Sequence, residues 1–325
     1  MRLADLTTLR LGGEADVHDA PSQACLVDAV RAMPDARILG GGSNVVVADA
    51  GVAGPVIRVS YSGWQQHGDQ FIVAAGTAWD AFVEQMVAAG RSGIEALSGI
   101  PGSVGATPIQ NVGAYGQEVA ETIAGLRILD RRTGEITTWP AARAQFGYRD
   151  SVLKRDPGNH VVLAVAFDLP VGPSAPVRYT ELARALGIRI GDSAPLDAVR
   201  QAVLAARRSK GMVLDPLDAD TCSAGSFFTN PVVRTVPDGA PAWSQPDGRI
   251  KTSAAWLIEQ AGVPKGFHLP GSQVAVSTKH TLALTNRGGG TTAQLLELAA
   301  HIRERVHVAF GVTLVVEPVL WGCQI

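Results

Sequence analysis

The sequence predicts an α+β protein with mixed sheets, and the order of its apolar segments and glycines supports that class. Short apolar runs bounded by glycine, proline or polar residues predict strands along the chain, with a few amphipathic helices among them. The triple glycine at 40–42 lies between two predicted strands, whereas a Rossmann fingerprint lies between a strand and a helix. A Rossmann fold is therefore not predicted. The length of 325 residues allows two or three domains, at about 100–200 residues each.

The first predicted domain covers residues 1–63 and contains one helix. Ser22 is expected to cap this helix, which has an apolar face of Leu26, Ala29, Val30 and Met33. Strands are predicted at 37–39, 44–48 and 56–59. The first boundary follows the last of these strands, near Gly63.

The second predicted domain covers residues 64–210. After a strand at 71–75, Thr77 is expected to cap a helix that ends at Gly90. A hairpin and a third strand are predicted at 127–130, 135–139 and 160–169. Residues 170–176 are expected to form a surface loop, and a helix near 195–209 leads into the next domain.

The third predicted domain covers residues 211–312, and residues 313–325 form a separate C-terminal strand segment. Helices are expected at 253–260, stopped by Gly262, and at 292–310, stopped by Gly311. Strands are predicted at 273–276, 281–285 and 313–317.

The composition argues against nucleic-acid binding, membrane binding and a metal site. Charged residues make up 18% of the chain with a formal net charge of −2, which gives no electrostatic signature of a nucleic-acid or anionic-membrane binder. No apolar run approaches the roughly 18–20 residues that span a bilayer. Cys25, Cys222 and Cys323 are odd in number and far apart, and the histidines are scattered. We therefore expect reduced thiols, no metal site and a cytoplasmic protein without a signal peptide.

Two glycine-rich loops could hold a phosphorylated ligand. The first glycine loop, residues 40–44, has consecutive glycines that let backbone N–H groups approach a diphosphate closely, and its alternative is a tight strand-to-strand turn. The second glycine loop, residues 98–116, combines five glycines and two prolines with apolar residues. We expect it to be ordered, partly buried and functional, as ordered loops of this length usually are. A purely structural role is its alternative.

Five motifs occur in one order along the chain: 40–44; 100–105 with 110–116; 146–151; 224–228 with 230–231; and 316–318. Together they resemble the UDP-N-acetylenolpyruvoylglucosamine reductase family, flavoenzymes of cell-wall synthesis, over nearly the whole chain. The resemblance implies a two-domain FAD-binding unit of the vanillyl-alcohol oxidase type plus a C-terminal α+β substrate-binding domain. It also implies noncovalent FAD, NADPH as hydride donor, a nucleotide-sugar substrate and no obligate protein partner.

The resemblance places the cofactor contacts in the two glycine loops. The residues it implies are Gly40, Gly41, Gly42, Ser43, Asn44, Ser98, Gly99, Ile100, Pro101, Gly102, Gly105, Ala106, Asn111, Gly113 and Ala114.

Three further residues match the family's chemistry. Ser226 is implied as the proton donor to the carbon that bears the carboxylate, and its alternative is a serine that caps a turn. Arg149 suits the substrate carboxylate and the enolate charge because its planar fork binds carboxylates bidentately; the alternative is a surface salt bridge with Asp150. Glu317 is implied to assist protonation or polarise the enol, and its alternative is an ordinary edge-strand carboxylate.

Substrate contacts are implied at five other positions: Tyr115, Tyr148, Tyr179, Lys210 and Asn230. Tyr179 has the alternative of a plain helix-entry aromatic. Lys210 would meet a phosphate of the substrate or of NADPH, and its alternative is a solvated helix end with Arg207 and Arg208.

Two features of the sequence depart from the family pattern, and two other functions are alternatives to the reductase. Thr229 stands where many family members have a basic residue, and the stretch 212–221 is longer than the common pattern. An alcohol or sugar oxidase of the same fold would lack the constellation of Ser226, Arg149 and Glu317. A catalytically silent FAD or nucleotide-sugar binder would keep the motifs without the geometry. The glycines at 288–290 are expected to be a flexible strand-to-helix connection rather than a phosphate loop.

Overall fold

The computed structural model describes residues 1–245 and 247–325, and these form two compact units. The larger unit comprises Asp16–Gly41 and Gly54–Arg208; the smaller comprises Met1–Ala15, Gly42–Ala53 and Ser209–Ile325. The predicted boundaries at residues 63, 210 and 312 remain a prediction. The described contacts divide the chain differently, because two N-terminal segments join the C-terminal part.

The larger unit contains a parallel and an antiparallel sheet. The parallel sheet has the strand order Asp16–Ala20, Pro55–Val59, Arg37–Leu39. The antiparallel sheet has the order Ile136–Pro140, Ile123–Asp130, His160–Asp168, Gln70–Ala74, Trp64–His67. A short hairpin pairs Gly113–Ala114 with Gln117–Glu118. The α-helices described in this unit are Gln23–Ala32, Trp79–Ala88, Val152–Arg155, Thr180–Leu186 and Leu196–Ser209.

Two predicted helix ends in this unit, at Ser22 and Gly90, are confirmed, and a third, at Thr77, is not. Ser22 caps the first helix as predicted, since its hydroxyl accepts the Cys25 N–H at 3.0 Å. The predicted cap by Thr77 is wrong: the N-cap is Ala78. The Thr77 hydroxyl instead accepts the Gly63 N–H at 3.0 Å, which ties the helix entry to a neighbouring turn. Gly90 follows the helix with φ of +70°, the left-handed conformation expected of a C-terminal glycine.

The smaller unit has three short sheets packed with two helices. One sheet has the order Ser223–Ser226, Ala283–Asn286, Val274–Val276, and another Val232–Val233, Ile250–Thr252, Ala242–Ser244. In the third, Val45–Val47 pairs in parallel with Val319–Trp321. The helices are Ala254–Gln260 and Thr292–Phe310. The longer helix ends at Gly311, as predicted, and it begins with a capping box of Thr291 and Gln294 that was not predicted.

The last strand lies further along the chain than predicted. Residues 313–317 are extended but make only an isolated bridge, between Val316 and Phe228. Pro318 has no N–H to continue such a ladder, and the regular strand is Val319–Trp321. The isolated bridge matters because Glu317 lies beside it.

Each unit has its own apolar core. In the larger unit, Phe71, Trp79, Phe82 and Phe167 are almost fully buried behind the antiparallel sheet. In the smaller unit, Phe227 and Phe228 are buried with residues of the two helices. Across the described residues, no helix is both long enough and apolar enough to cross a membrane.

Candidate functional site

The two glycine loops meet backbone to backbone inside the larger unit. A Cβ placed on Gly41 would lie 2.5 Å from the Cα of Gly102, and one placed on Gly40 would lie 2.5 Å from the hydroxyl of Ser103. The Gly41 contact is with backbone and leaves no room for a side chain, whereas the Gly40 contact is with a hydroxyl that can rotate away. Arg37–Leu39 and Val45–Val47, the strands on either side of the first glycine loop, belong to different sheets, so this loop is not a hairpin turn.

The second glycine loop is ordered and partly buried, as predicted. Ser98 is fully buried, and its hydroxyl donates to the Glu95 carbonyl at 2.7 Å. Downstream, the Val104 and Gly105 N–H groups donate to the carbonyls of Thr77 and Ala75, both at 2.8 Å. These contacts attach the loop to the strand and helix before it.

Glycine backbones that approach closely without side chains are the usual way in which a protein surrounds a diphosphate. The meeting of the two loops fits such a group, because Gly41 lies against the Gly102 backbone with no space for a Cβ between them. Gly105, three residues further on, is packed in the same way against Ala75 of the larger unit. Gly42, Ser43 and Asn44 continue the first glycine loop into the smaller unit.

Asn111 has a structural role in the second glycine loop. It is 1% exposed and has φ of +46°, a conformation that asparagine tolerates better than most residues. Its amide donates to Glu118 at 2.7 Å and to the Gly147 carbonyl at 3.0 Å, and its side-chain oxygen accepts the Ala120 N–H at 3.1 Å. The side chain thus joins the loop to the segment that carries Arg149.

Arg149 is held by backbone carbonyls. Its guanidinium donates to the Gly113 carbonyl at 2.6 Å and to the Asn111 carbonyl at 3.4 Å. The guanidinium also lies 5.4 Å from the ring centroid of Tyr148. Lys154, which the sequence interpretation missed, donates to the Arg149 carbonyl at 2.8 Å. Asp150, the partner in the alternative interpretation, forms an ion pair with Arg155.

Tyr115 and Tyr179 form an edge-to-face pair, with centroids 5.4 Å apart and planes at 86°. Tyr115 stands at the tip of the 113–118 hairpin with φ of +50°, and Tyr179 immediately precedes the helix Thr180–Leu186. Burial raises the pKa of both phenols, so both are neutral donors at neutral pH. Tyr179 thus packs against Tyr115 at the entry of its helix, and the role of both in substrate binding remains a prediction.

A buried carboxylate, also missed in the sequence, links the segments that carry these tyrosines. Glu95 is 1% exposed and accepts the Ala175 N–H at 2.8 Å and the Gly93 N–H at 2.6 Å. Gln117, next to the tip of the hairpin, accepts the Ala96 N–H at 3.0 Å.

Ser226 and Glu317 are brought close along the backbone of the smaller unit. Ser223 pairs with Thr285, and Ser226 pairs with Ala283. One strand therefore advances by three residues where its partner advances by two. This irregularity is a bulge, and Gly225 provides its left-handed residue with φ of +73°. Bulges re-aim side chains next to active sites.

A backbone hydrogen bond holds Glu317 next to Phe227, the residue that follows Ser226. The Glu317 N–H donates to the Phe227 carbonyl at 2.9 Å, while the Phe227 N–H donates to the Leu282 carbonyl at 2.7 Å. Phe227, the residue that follows Ser226, is thus bonded to Leu282 through its N–H and to the C-terminal segment through its carbonyl. Arg149 belongs to the larger unit, and its placement relative to Ser226 and Glu317 remains a prediction.

Two of the predicted substrate-binding residues, Asn230 and Lys210, lie at the ends of helices. Asn230 accepts the Ala254 N–H at 2.9 Å through its side-chain oxygen, at the start of the helix Ala254–Gln260. Lys210 is half-buried just after the helix Leu196–Ser209. Burial lowers the pKa of Arg207 in that helix, whereas Arg208 and Ser209 at its end are exposed, and the contact of Lys210 with a phosphate remains a prediction.

The unusual stretch 212–221 is anchored at its end by Asp220. This carboxylate accepts the Thr278 N–H at 2.9 Å and an Arg287 N–H at 3.0 Å. Burial acts to raise the pKa of Asp220, but these hydrogen bonds outweigh it and lower the pKa. Lys279 pairs with Asp218 at 2.5 Å. The additional residues are therefore tied to the sheet of Ser226.

Comparison with known proteins gives two family matches. Residues 20–139 match the model of an FAD binding domain. Residues 215–321 match the model of the UDP-N-acetylenolpyruvoylglucosamine reductase C-terminal domain.

Relatives with the same name match along their full length. The chain is 50% identical to the UDP-N-acetylenolpyruvoylglucosamine reductase of Streptomyces avermitilis, over 99% of this chain and 94% of the relative. It is 50% identical to that of Thermobifida fusca, over 98% and 96%. The crystal structure of the Thermus caldophilus reductase superposes with a TM-score of 0.72 at 26% identity, over 99% of this chain and 97% of the other.

Proposed function

The chain belongs to the UDP-N-acetylenolpyruvoylglucosamine reductase family, and on that premise we propose that it reduces UDP-N-acetylglucosamine enolpyruvate to UDP-N-acetylmuramate. The reaction uses FAD and NADPH and supplies a precursor of peptidoglycan. Full-length identity of 50% to reductases and the matched FAD domain support this activity. We place the reaction in the cytoplasm, where such nucleotide-sugar precursors are made.

The two glycine loops would hold the cofactor. Gly41 packed on Gly102 presents closely packed backbone that suits the FAD diphosphate, and Gly40 and Gly105 lie near this contact in the two loops. FAD, when bound, supplies the hydride to the enolpyruvyl double bond after reduction by NADPH. The remaining tasks of binding, charge stabilisation and proton delivery belong to the side chains.

Ser226 would deliver the proton to the carbon that bears the carboxylate. A serine is a weak acid in water, but a carbanion is a strong base, and position then decides the rate. The single observation that carries this proposal is the bulge at Gly225 with the Glu317 N–H bonded to Phe227. It holds Ser226 and Glu317 on neighbouring backbone, which supports a shared role in protonation, although 90 residues separate Glu317 from Phe227 in the sequence.

Arg149 and the tyrosines would bind substrate. Two backbone carbonyls orient the Arg149 guanidinium, which suits the enolpyruvyl carboxylate and the enolate charge. Tyr115, Tyr148 and Tyr179 would line the sugar and enolpyruvyl pocket, and Lys210 would bind a phosphate. The side-chain oxygen of Asn230 is used by Ala254, so substrate would bind its amide nitrogen.

Anaerobic oxidation of NADPH by the purified yellow protein tests the activity. We expect stoichiometric consumption of NADPH that depends on UDP-N-acetylglucosamine enolpyruvate. If NADPH reduces the flavin but this substrate never reoxidises it, the assignment of substrate fails. A sugar or alcohol that reduces the flavin would then favour the oxidase, and no turnover would favour the silent binder.

Gly41→Ala is expected to weaken FAD binding by at least about tenfold, which corresponds to about 1.4 kcal/mol. The added methyl would meet the Gly102 backbone at 2.5 Å and force the two loops apart. The matched control is Gly172→Ala in the same unit, because a Cβ there meets nothing within 4 Å. Titration of each FAD-free protein with FAD, followed by flavin fluorescence, measures the change. Equal FAD affinity in both variants would show that the flavin does not bind at these loops.

A further inference from the structure

The first turn of the helix Trp79–Ala88 makes two hydrogen bonds with the start of the second glycine loop and one with Leu97, the residue before it. The Trp79 N–H donates to the Gly102 carbonyl at 3.0 Å, and its indole N–H donates to the Leu97 carbonyl at 3.1 Å. Between them, the Asp80 carboxylate accepts the Gly99 N–H at 2.6 Å. Among these three contacts, only the last depends on a charged side chain.

Arg200 fixes the Asp80 carboxylate from a distant part of the sequence. Its guanidinium donates to both oxygens of Asp80, at 2.6 and 3.2 Å, and forms an ion pair with Glu84 at 3.3 Å. The Arg200 side chain is only 8% exposed. Burial acts to raise the pKa of Asp80, but the hydrogen bonds from Arg200 and Gly99 outweigh it and lower the pKa. The carboxylate is therefore ionised at neutral pH.

Gly99 needs such an anchor. Its φ of +73° costs little free energy in glycine. Glycine, however, can also adopt more other backbone conformations than any other residue. A charge-assisted hydrogen bond to its N–H selects one of these conformations.

We propose that Asp80, held in place by Arg200, is a positioning residue for the flavin: it sets the Gly99 backbone and thereby the FAD affinity of the second glycine loop. The proposal rests on the placement of FAD at the glycine loops. Asp80 acts through the loop and is not itself a catalytic residue.

Asp80→Asn and Arg200→Lys test the proposal. Asn lacks the charge, and Lys keeps the charge but lacks the planar fork that binds both oxygens. We expect both to raise the Kd for FAD by at least about tenfold, since a hydrogen bond to a charged group contributes about 1.5–3 kcal/mol. The visible circular dichroism of the bound flavin should change as well. Asp69→Asn is the control, because Asp69 pairs with Arg91 in the same unit without contacting the loop.

A double variant separates positioning from folding. Asp80→Asn alone leaves the buried Arg200 without its main partner, which destabilises the protein. Adding Arg200→Met removes that charge, so the thermal unfolding midpoint should recover while FAD affinity stays low. Wild-type FAD affinity in the double variant overturns the proposal. If Gly41→Ala also keeps wild-type affinity, the flavin placement itself has failed; if Gly41→Ala loses affinity, only the role of Asp80 has failed.

Discussion

Ser226→Ala is expected to leave flavin reduction by NADPH near its normal rate while slowing flavin reoxidation by the enolpyruvyl substrate about 10²–10⁴-fold, the usual contribution of a positioned general acid. The asymmetry arises because only the second half-reaction ends with a proton delivered to carbon. Ser226 follows the left-handed Gly225 in the bulge, and the peptide after it is bonded on both sides. Loss of one hydroxyl should therefore leave the backbone in place.

Anaerobic stopped-flow measurement of each half-reaction checks this result. Ser244→Ala, an exposed serine in another strand of the same unit, is the control and should change neither rate. Ser226→Cys keeps a proton on the side chain and should retain part of the second rate. Comparable losses in both half-reactions of Ser226→Ala would exclude Ser226 as the specific proton donor.

The sequence predicted those parts of the fold that local interactions determine. Ser22 bonds to an N–H three residues on, and the helix Thr292–Phe310 has its terminal Gly311 next to it in the chain. Thr77 has the right side chain for a cap, but its hydroxyl is taken by a hydrogen bond with Gly63, which precedes it by 14 residues. A capping rule that considers only neighbouring residues could not predict this competing hydrogen bond.

The last strand and the unit boundaries depend on distant contacts. Val319–Trp321 becomes a strand because Val45–Val47 lies beside it, far away in the sequence. For the same reason the first residues of the chain group with the C-terminal part. Apolar periodicity identifies a segment that can form a strand, but it does not identify the partner.

The candidate site shows the same limit. Motifs predicted Ser226 and Glu317, but the hydrogen bond between Glu317 and Phe227 spans 90 residues and could only be seen in the structure. Asp80 and Arg200 are 120 residues apart and carry no motif of their own. Residues that position others through long-range contacts therefore remained hidden, whereas residues in glycine-rich or serine-containing motifs did not.

Arg149→Met is expected to slow flavin reoxidation by the enolpyruvyl substrate about 10²–10³-fold, as loss of one donor to a developing oxyanion typically does. It should also raise the KM for that substrate, because the carboxylate loses its bidentate partner. Arg149→Lys keeps the charge but lacks the fork, so we expect an intermediate rate. Both rates come from the same stopped-flow experiment, together with the KM at steady state.

The contacts of Arg149 make one control essential. Its guanidinium bonds to the carbonyls of Asn111 and Gly113 inside the second glycine loop, so its removal could also loosen the flavin. The FAD affinity of each variant separates the two effects. Arg155→Met removes a neighbouring arginine whose described partners are the side chains of Asp150 and Gln145, and it should leave both half-reactions unchanged. If Arg149→Met loses FAD affinity and flavin reduction by NADPH as severely as substrate reduction, Arg149 supports the loop and does not stabilise the enolate.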